Sequence, residues 1–161
     1  MRTASSSAKL LVLKDLIQKI EDWRAVNKTI AFTNGVFDLL HVGHIYSLES
    51  AALFADVLIV GVNSDKSVRT LNKGTDRPFL GEEERAKLVA GLGCVDAVVI
   101  FNETTPFEVL SQIKPDVLVK GDDWARDKVI GREFAGRVEL IKRLGQFSTT
   151  NLVEKIKMTK N

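Results

Sequence analysis

The run Val57-Leu58-Ile59-Val60-Gly61-Val62 constrains the fold more than any other stretch of the chain. It is apolar throughout and rich in β-branched residues, so it has no polar face to turn toward water. Such a strand is buried on both faces, as in a parallel sheet covered by helices. Parallel neighbours cannot be joined by tight turns; each pair needs a crossover, usually helical. The rest of the chain has that alternation. Strands are expected at about 29–33, 57–62, 95–101 and 116–119, with a candidate fifth at 138–141. Helices are expected at about 9–24 (Leu10, Leu13, Leu16, Ile17 and Ile20 at helical spacing, with Trp23 in the core), from the glycine after Asp38-Leu39-Leu40-His41 to about 54, and at 81–90. Another should begin at Pro106 and stop before Pro115, and a last one should run to about 157 with Ser148 as its N-cap. A short helical turn is expected at 63–69, and 125–136 has no clear assignment. The fold class is therefore α/β: a doubly wound, Rossmann-like parallel sheet of five strands. Residues 1–8 read as a disordered start and 9–161 as a single domain.

A chain of 161 residues suits one domain. The net charge of +2 comes from 23 basic and 21 acidic residues, too even a balance for a nucleic-acid binder, and fits a small anionic ligand better. Cys94 is the only cysteine, so no intrachain disulfide can form; it reads as a small buried side chain. No apolar run approaches the ~18 residues of a membrane span. The Ser-rich start has no hydrophobic signal segment, so the expected location is cytoplasmic.

The chemistry centres on Thr33-Asn34-Gly35-Val36-Phe37-Asp38-Leu39-Leu40-His41-Val42-Gly43-His44, read as strand, tight loop and helix start. A helix N-terminus presents free N–H groups and a positive dipole end, which attract phosphate. His41 and His44 lie three apart and can face one anion, and Gly43 lets a ligand come close. In a doubly wound sheet the loops after strands 1, 2, 4 and 5 share an edge. That edge would gather His41 and His44, then Lys73 and Arg77, then Lys120, Gly121, Asp122 and Asp123, then Ser148, Thr149 and Thr150. Two histidines and one cysteine are too few for a zinc site, and neither Gly-x-Ser-x-Gly nor a P-loop run is present. What remains is imidazole contact with phosphate, helped by a second helix start at 148–150. Lys73, Arg77, Arg85, Lys120 and Arg143 would neutralise further oxygens. With no evident nucleophile, such a site suits direct attack of one substrate on another, catalysed by positioning and electrostatics. Asp38 would either touch substrate or orient its loop, Arg85 would either face the site or pair with nearby glutamates, and Trp124 would either stack on a ligand or pack.

These residues carry a resemblance. Gly35-Val36-Phe37-Asp38-Leu39-Leu40-His41-Val42-Gly43-His44, with Ser148-Thr149-Thr150, resembles the cytidylyltransferase-like branch of the nucleotidyltransferases over roughly 29–157. Within it, 61–65, 73–78 and 115–121 look like the adenylyltransferases that join ATP to D-glycero-β-D-manno-heptose 1-phosphate for lipopolysaccharide core synthesis. The resemblance implies ATP and a sugar phosphate as substrates, Mg²⁺ carried with ATP and no dedicated protein metal cage. It also implies a homo-oligomer and, since such domains are often fused to a kinase, a separate heptose kinase upstream. It implies that His41 and His44 bind the triphosphate and stabilise the transition state, and that Lys73 bridges the two substrates' phosphates. Thr33, Asn34, Gly35, Val36, Phe37, Lys120, Gly121, Asp122, Asp123, Arg143, Ser148, Thr149 and Thr150 would bind nucleotide, and Asp38, Lys73, Arg77 and Trp124 the acceptor. One alternative stays open. Gly121-Asp122-Asp123-Trp124 and Arg143 match glycerol-3-phosphate cytidylyltransferase, although Gly93 stands where that enzyme has an arginine. A non-catalytic nucleotide-binding module is the other alternative.

Overall fold

A computed structural model of the chain describes residues 5–71, 77–145 and 147–159. Its strands are β1 (Ile30–Gly35), β2 (Val57–Asn63), β3 (Ala97–Phe101), β4 (Val117–Gly121) and β5 (Arg137–Ile141). They form one all-parallel sheet in the order β3-β2-β1-β4-β5. The helices are α1 (Ser6–Lys9), α2 (Leu13–Ala25), α3 (Val42–Ala52), α4 (Asp65–Thr70), α5 (Glu82–Ala90), α6 (Phe107–Ile113) and α7 (Thr149–Met158). Single 3-10 turns at Arg126–Lys128 and Arg132–Phe134 fill the stretch that had no assignment.

β2 is buried at every position, as its composition requires. Successive side chains of a strand point to opposite faces, and each face of this sheet carries its own core. Ile59 packs with Leu16 and Ile20 of α2 and with Val109, Leu110 and Ile113 of α6. Leu58 and Val60 pack with Leu48 and Ala51 of α3 and with Ala86, Val89 and Ala90 of α5. Register is fixed at the N-terminal edge by three aspartates that accept strand amides. Asp56 accepts from Thr29 N at 2.8 Å, Asp96 from Leu58 N at 2.8 Å and Asp116 from Ile30 N at 2.7 Å. Pinning that edge leaves the opposite, C-terminal edge free to diverge into loops.

Several boundaries differ from the sequence expectation, and β3 begins at Ala97 and not at 95. Structure begins before residue 9: Ser5 caps α1, and Lys9 is buried with its ammonium donating to Leu92 O at 3.0 Å. Leu10 and Leu11 do not begin α2. They run extended along the outer edge of β3, where Leu11 N donates to Val98 O at 2.9 Å. An open sheet edge is a pairing hazard, and covering it outweighs their helical spacing. β1 and β4 each extend two residues past the expected ends, to Gly35 and Gly121, which carries Asn34 and Lys120 into the sheet. No helix among the described residues is long and apolar enough to cross a membrane.

Candidate active site

The strand order reverses between β1 and β4. Such a switch point opens a crevice beyond the C-terminal ends of the strands. β1 and β4 pair only at Ala31–Val117 and Phe32–Leu118. Past that point they part, and a cleft of about 550 Å³ opens between the β1–α3 loop, the end of β4 and the start of α7.

The β1–α3 loop holds the histidines in a fixed arrangement. His41 is the N-cap of α3, and its Nδ1 accepts from Gly43 N at 3.1 Å. A ring nitrogen that accepts carries no proton, so the neutral ring bears its proton on Nε2. Burial pulls the His41 pKa below its usual 6.5, which favours the same neutral form. The His41 and His44 rings stack with centroids 3.8 Å apart, and the Phe37 ring meets His44 edge-on at 5.4 Å. The approach that Gly43 permits is taken by the protein itself. A Cβ there would lie 2.9 Å from Phe147 Cβ and 3.0 Å from His41 Cε1.

The loop is strained and tightly tied. Phe37 and Leu39 have φ of 52° and 49°, in the left-handed region that side chains with a Cβ avoid. Between them Asp38 is 2% exposed. Its carboxylate accepts from Phe79 N at 3.0 Å and Leu80 N at 3.1 Å and pairs with Arg77 at 3.3 Å. Of the two roles open to Asp38, loop orientation is the one its contacts support. These groups engage its carboxylate, and Asp38 itself also borders the cleft. Arg85 corrects an expectation. It neither faces the cleft nor pairs with the glutamates beside it. It is fully buried, donates to Val36 O at 2.7 Å and Leu80 O at 2.9 Å, and pairs with Asp65 at 2.7 Å.

Lys120 at the end of β4 donates to Asn34 Oδ1 on β1, bridging the strands where their backbones have separated. Desolvation lowers its pKa from 10.5 to about 8, partly opposed by the charge of Asp123. Thr33, Asn34, Gly35, Val36, Phe37, Arg77, Gly121 and Arg143 also border the cleft. Asp122 and Asp123 do not. Asp123 holds Arg143 at 2.9 Å, and Asp122 accepts from Arg143 N at 3.3 Å, so both act on the site through that arginine. Trp124 lies outside the lining, its backbone closing a turn onto Gly121 O. Lys73 falls outside the described residues.

Across the cleft, Ser148 caps α7 by accepting from Asn151 N at 3.1 Å. Thr149 Oγ1 donates to Asp38 O at 2.7 Å, and Thr150 borders the same space. Sequence reasoning passed over Ser47, Leu144 and Phe147, which also line the cleft. The place of Phe147, directly before Ser148, was the available signal.

This arrangement has known counterparts. Residues 32–159 match the family described as cytidylyltransferase-like. The bifunctional protein HldE of Geotalea uraniireducens is 48% identical over 156 residues, covering 94% of this chain and 32% of that protein. The bifunctional protein HldE of Helicobacter pylori strain G27 is 47% identical over 153 residues, covering 95% of this chain and 32% of that protein. The chain thus spans about a third of the length of these curated relatives. Among solved structures, the lipopolysaccharide core biosynthesis protein of Thermoplasma volcanium aligns with a TM-score of 0.60 at 26% identity, over 76% of this chain and all of that one. The pantoate-beta-alanine ligase of Francisella tularensis aligns at 0.53 and 15% identity, over 90% of this chain and 76% of that one, a likeness of fold.

Proposed function

Because the chain belongs to the cytidylyltransferase-like family, and is a nucleotidyltransferase, we propose that it transfers AMP from ATP to D-glycero-β-D-manno-heptose 1-phosphate, forming ADP-heptose and pyrophosphate for lipopolysaccharide core synthesis. One observation carries this reading. Two helix N-termini, each with its own polar motif, meet on one cleft, and Thr149 Oγ1 bonds Asp38 O between them at 2.7 Å. That is a site for an extended polyphosphate.

In this reading the acceptor's phosphate oxygen attacks the α-phosphorus of ATP. The bond from that phosphorus to the oxygen bridging to the β-phosphate breaks, and pyrophosphate leaves with the electron pair. No protein nucleophile is needed. Two hydroxyls of the cleft donate to the backbone, Ser47 to Gly43 O at 2.9 Å and Thr149 to Asp38 O at 2.7 Å, and Ser148 Oγ accepts from Asn151 N. His41, neutral with Nε2–H outward, donates a hydrogen bond to the oxygens that gain charge in the transition state, and His44 stacked on it acts with it. Lys120, Arg77 and Arg143 bring positive charge to the same space, and Ser148 to Thr150 cradle the β and γ end. Asn34 and Lys120 hold the nucleotide where β1 and β4 part, and Lys73 bridges the two phosphates.

Mg²⁺, carried by the triphosphate, would supply neutralisation of its negative oxygens. Asp38 is committed to Phe79, Leu80 and Arg77. Among the described residues no cluster of three or more His, Cys, Asp or Glu could hold a metal. Such an ion would be liganded chiefly by phosphate and water.

The choice of ATP and heptose rests on the relatives and on Lys120 preceding Gly121. The Asp122-Asp123-Trp124 run favours CTP and glycerol 3-phosphate. Pyrophosphate release from ATP or CTP, each with either acceptor, tests the choice. Turnover with ATP and heptose 1-phosphate is expected, and turnover confined to CTP and glycerol 3-phosphate overturns the reading.

A further inference from the structure

Asp38 joins three segments that are distant in the chain. Its carboxylate holds Phe79 and Leu80 through their amides and Arg77 through its guanidinium. Its carbonyl oxygen, on the other side of the same residue, holds the hydroxyl of Thr149 at the first turn of α7. Its neighbours Phe37 and Leu39 both sit at positive φ. Strain of that kind persists only where surrounding contacts over-determine the backbone. The contacts that do so here come from two other segments, 77–80 and the start of α7, and the loop they hold leads into His41.

We propose that Asp38 is a positioning residue that couples the start of α7 to the 77–80 segment, so that ordering the one by a triphosphate also orders the other, where the acceptor of the proposed reaction would bind. This deepens the two-substrate reading above and rests on it for what occupies each end. The coupling is a property of the chain's own hydrogen bonds and can be read without turnover. If the carbonyl of Asp38 is pulled by Thr149, its carboxylate geometry toward Phe79 and Leu80 follows, because both belong to one residue in a strained loop. Acceptor and nucleotide then bind with positive cooperativity, each receiving a site the other has already set.

The test is amide hydrogen exchange on the ligand-free full chain at Phe79 and Leu80. Thr149→Val removes the hydroxyl at near-constant volume. Exchange at both amides is expected to rise about fivefold, the scale of one net hydrogen bond, and Thr149→Ser is expected to restore it. Unchanged exchange in Thr149→Val overturns the coupling. Steady-state kinetics supply the second readout. Thr149→Val should raise KM for the acceptor as well as for the nucleotide. A rise for the nucleotide alone makes Thr149 a phosphate ligand only, and the coupling falls. If no substrate pair turns over but exchange responds as stated, the coupling stands and the substrate reading fails.

Discussion

The two helix starts that face each other across the cleft are built differently. The start of α3 is fixed from every side: His41 is locked to Gly43 N, Asp38 is buried among the amides of Phe79 and Leu80, and Arg85 grips Val36 O from below. Helix α3 itself buries Leu48 and Ala51 in the core. Helix α7 buries no residue fully, and its Ile156 and Met158 are 50% and 75% exposed. Its start is tied down by the Ser148 cap and by Thr149 on Asp38 O. Groups that stabilise a transition state gain from being held before the reaction, since no reorganisation is then needed when charge develops. Groups that grip a leaving pyrophosphate must also let it go. For the proposed reaction the contrast assigns rigidity to the histidine end and an adjustable grip to the α7 end.

The largest expected break in that contrast comes from Arg85. Arg85→Met keeps the stem but leaves Val36 O and Leu80 O without their donor and Asp65 without its partner. Orphaned buried acceptors and a broken ion pair should cost about 3 kcal/mol in urea unfolding. Ile156→Ala on α7 should cost less than about 0.5 kcal/mol, as exposed positions do. Equal losses at the two sites would erase the distinction. Next in size is His44→Ala, which should fold normally and lose at least about a hundredfold in kcat, the scale of one transition-state donor. Near-normal turnover would remove the histidine end from the chemistry.

The legible and illegible parts of this molecule divide by the range of the forces involved. The strand 57–62, the βα alternation and the Ser148 cap were readable because composition, periodicity and one side chain's bond to a near backbone amide decide them. Arg85 was not. It follows Glu82, Glu83 and Glu84, a context that reads as a solvated helix face, and its burial is set by Val36 and Leu80 of two other loops. Leu10 was misassigned because its helical spacing is real, but the uncovered edge of β3 is remote in sequence. Asp38 was found as a site residue with both roles open, because the partners that settle its carboxylate, 77 to 80, lie on a separate loop.

Lys120 stands between the two regions and tests whether charge is shared across them. Its folded pKa, about 8, is depressed from 10.5, so the free enzyme loses this cation as pH rises through about 8. In the proposed reaction Lys120 meets phosphate in its protonated form. kcat/KM should therefore fall on the alkaline side, by about tenfold one unit above that pKa. Lys120→Gln should start lower and lack that limb. Loss on the acid side has a different source. His41 has a folded pKa below 6.5, so its neutral form persists below 6.5 and is lost only as pH falls through that lower value. Protonating Nδ1 also sets two donors, the ring and Gly43 N, against each other.

The smallest effect belongs to the α7 end, and its size is what sharpens the comparison. Ser148 accepts from Asn151 N at 3.1 Å, one bond that satisfies one of the free amides of the first turn. Ser148→Ala should cost about 1 kcal/mol of helix stability, the usual value of an N-cap. Because α7 packs no side chain fully into the core, that loss should appear as faster amide exchange within α7, with the urea midpoint little changed. In the proposed reaction the same change should raise KM for the nucleotide more than it lowers kcat, since it loosens the grip on the β and γ phosphates and leaves His41 and His44 stacked as before. A fall in kcat as deep as that of His44→Ala would mean that the α7 start is as preorganised as the α3 start, and the asymmetry would have to be abandoned.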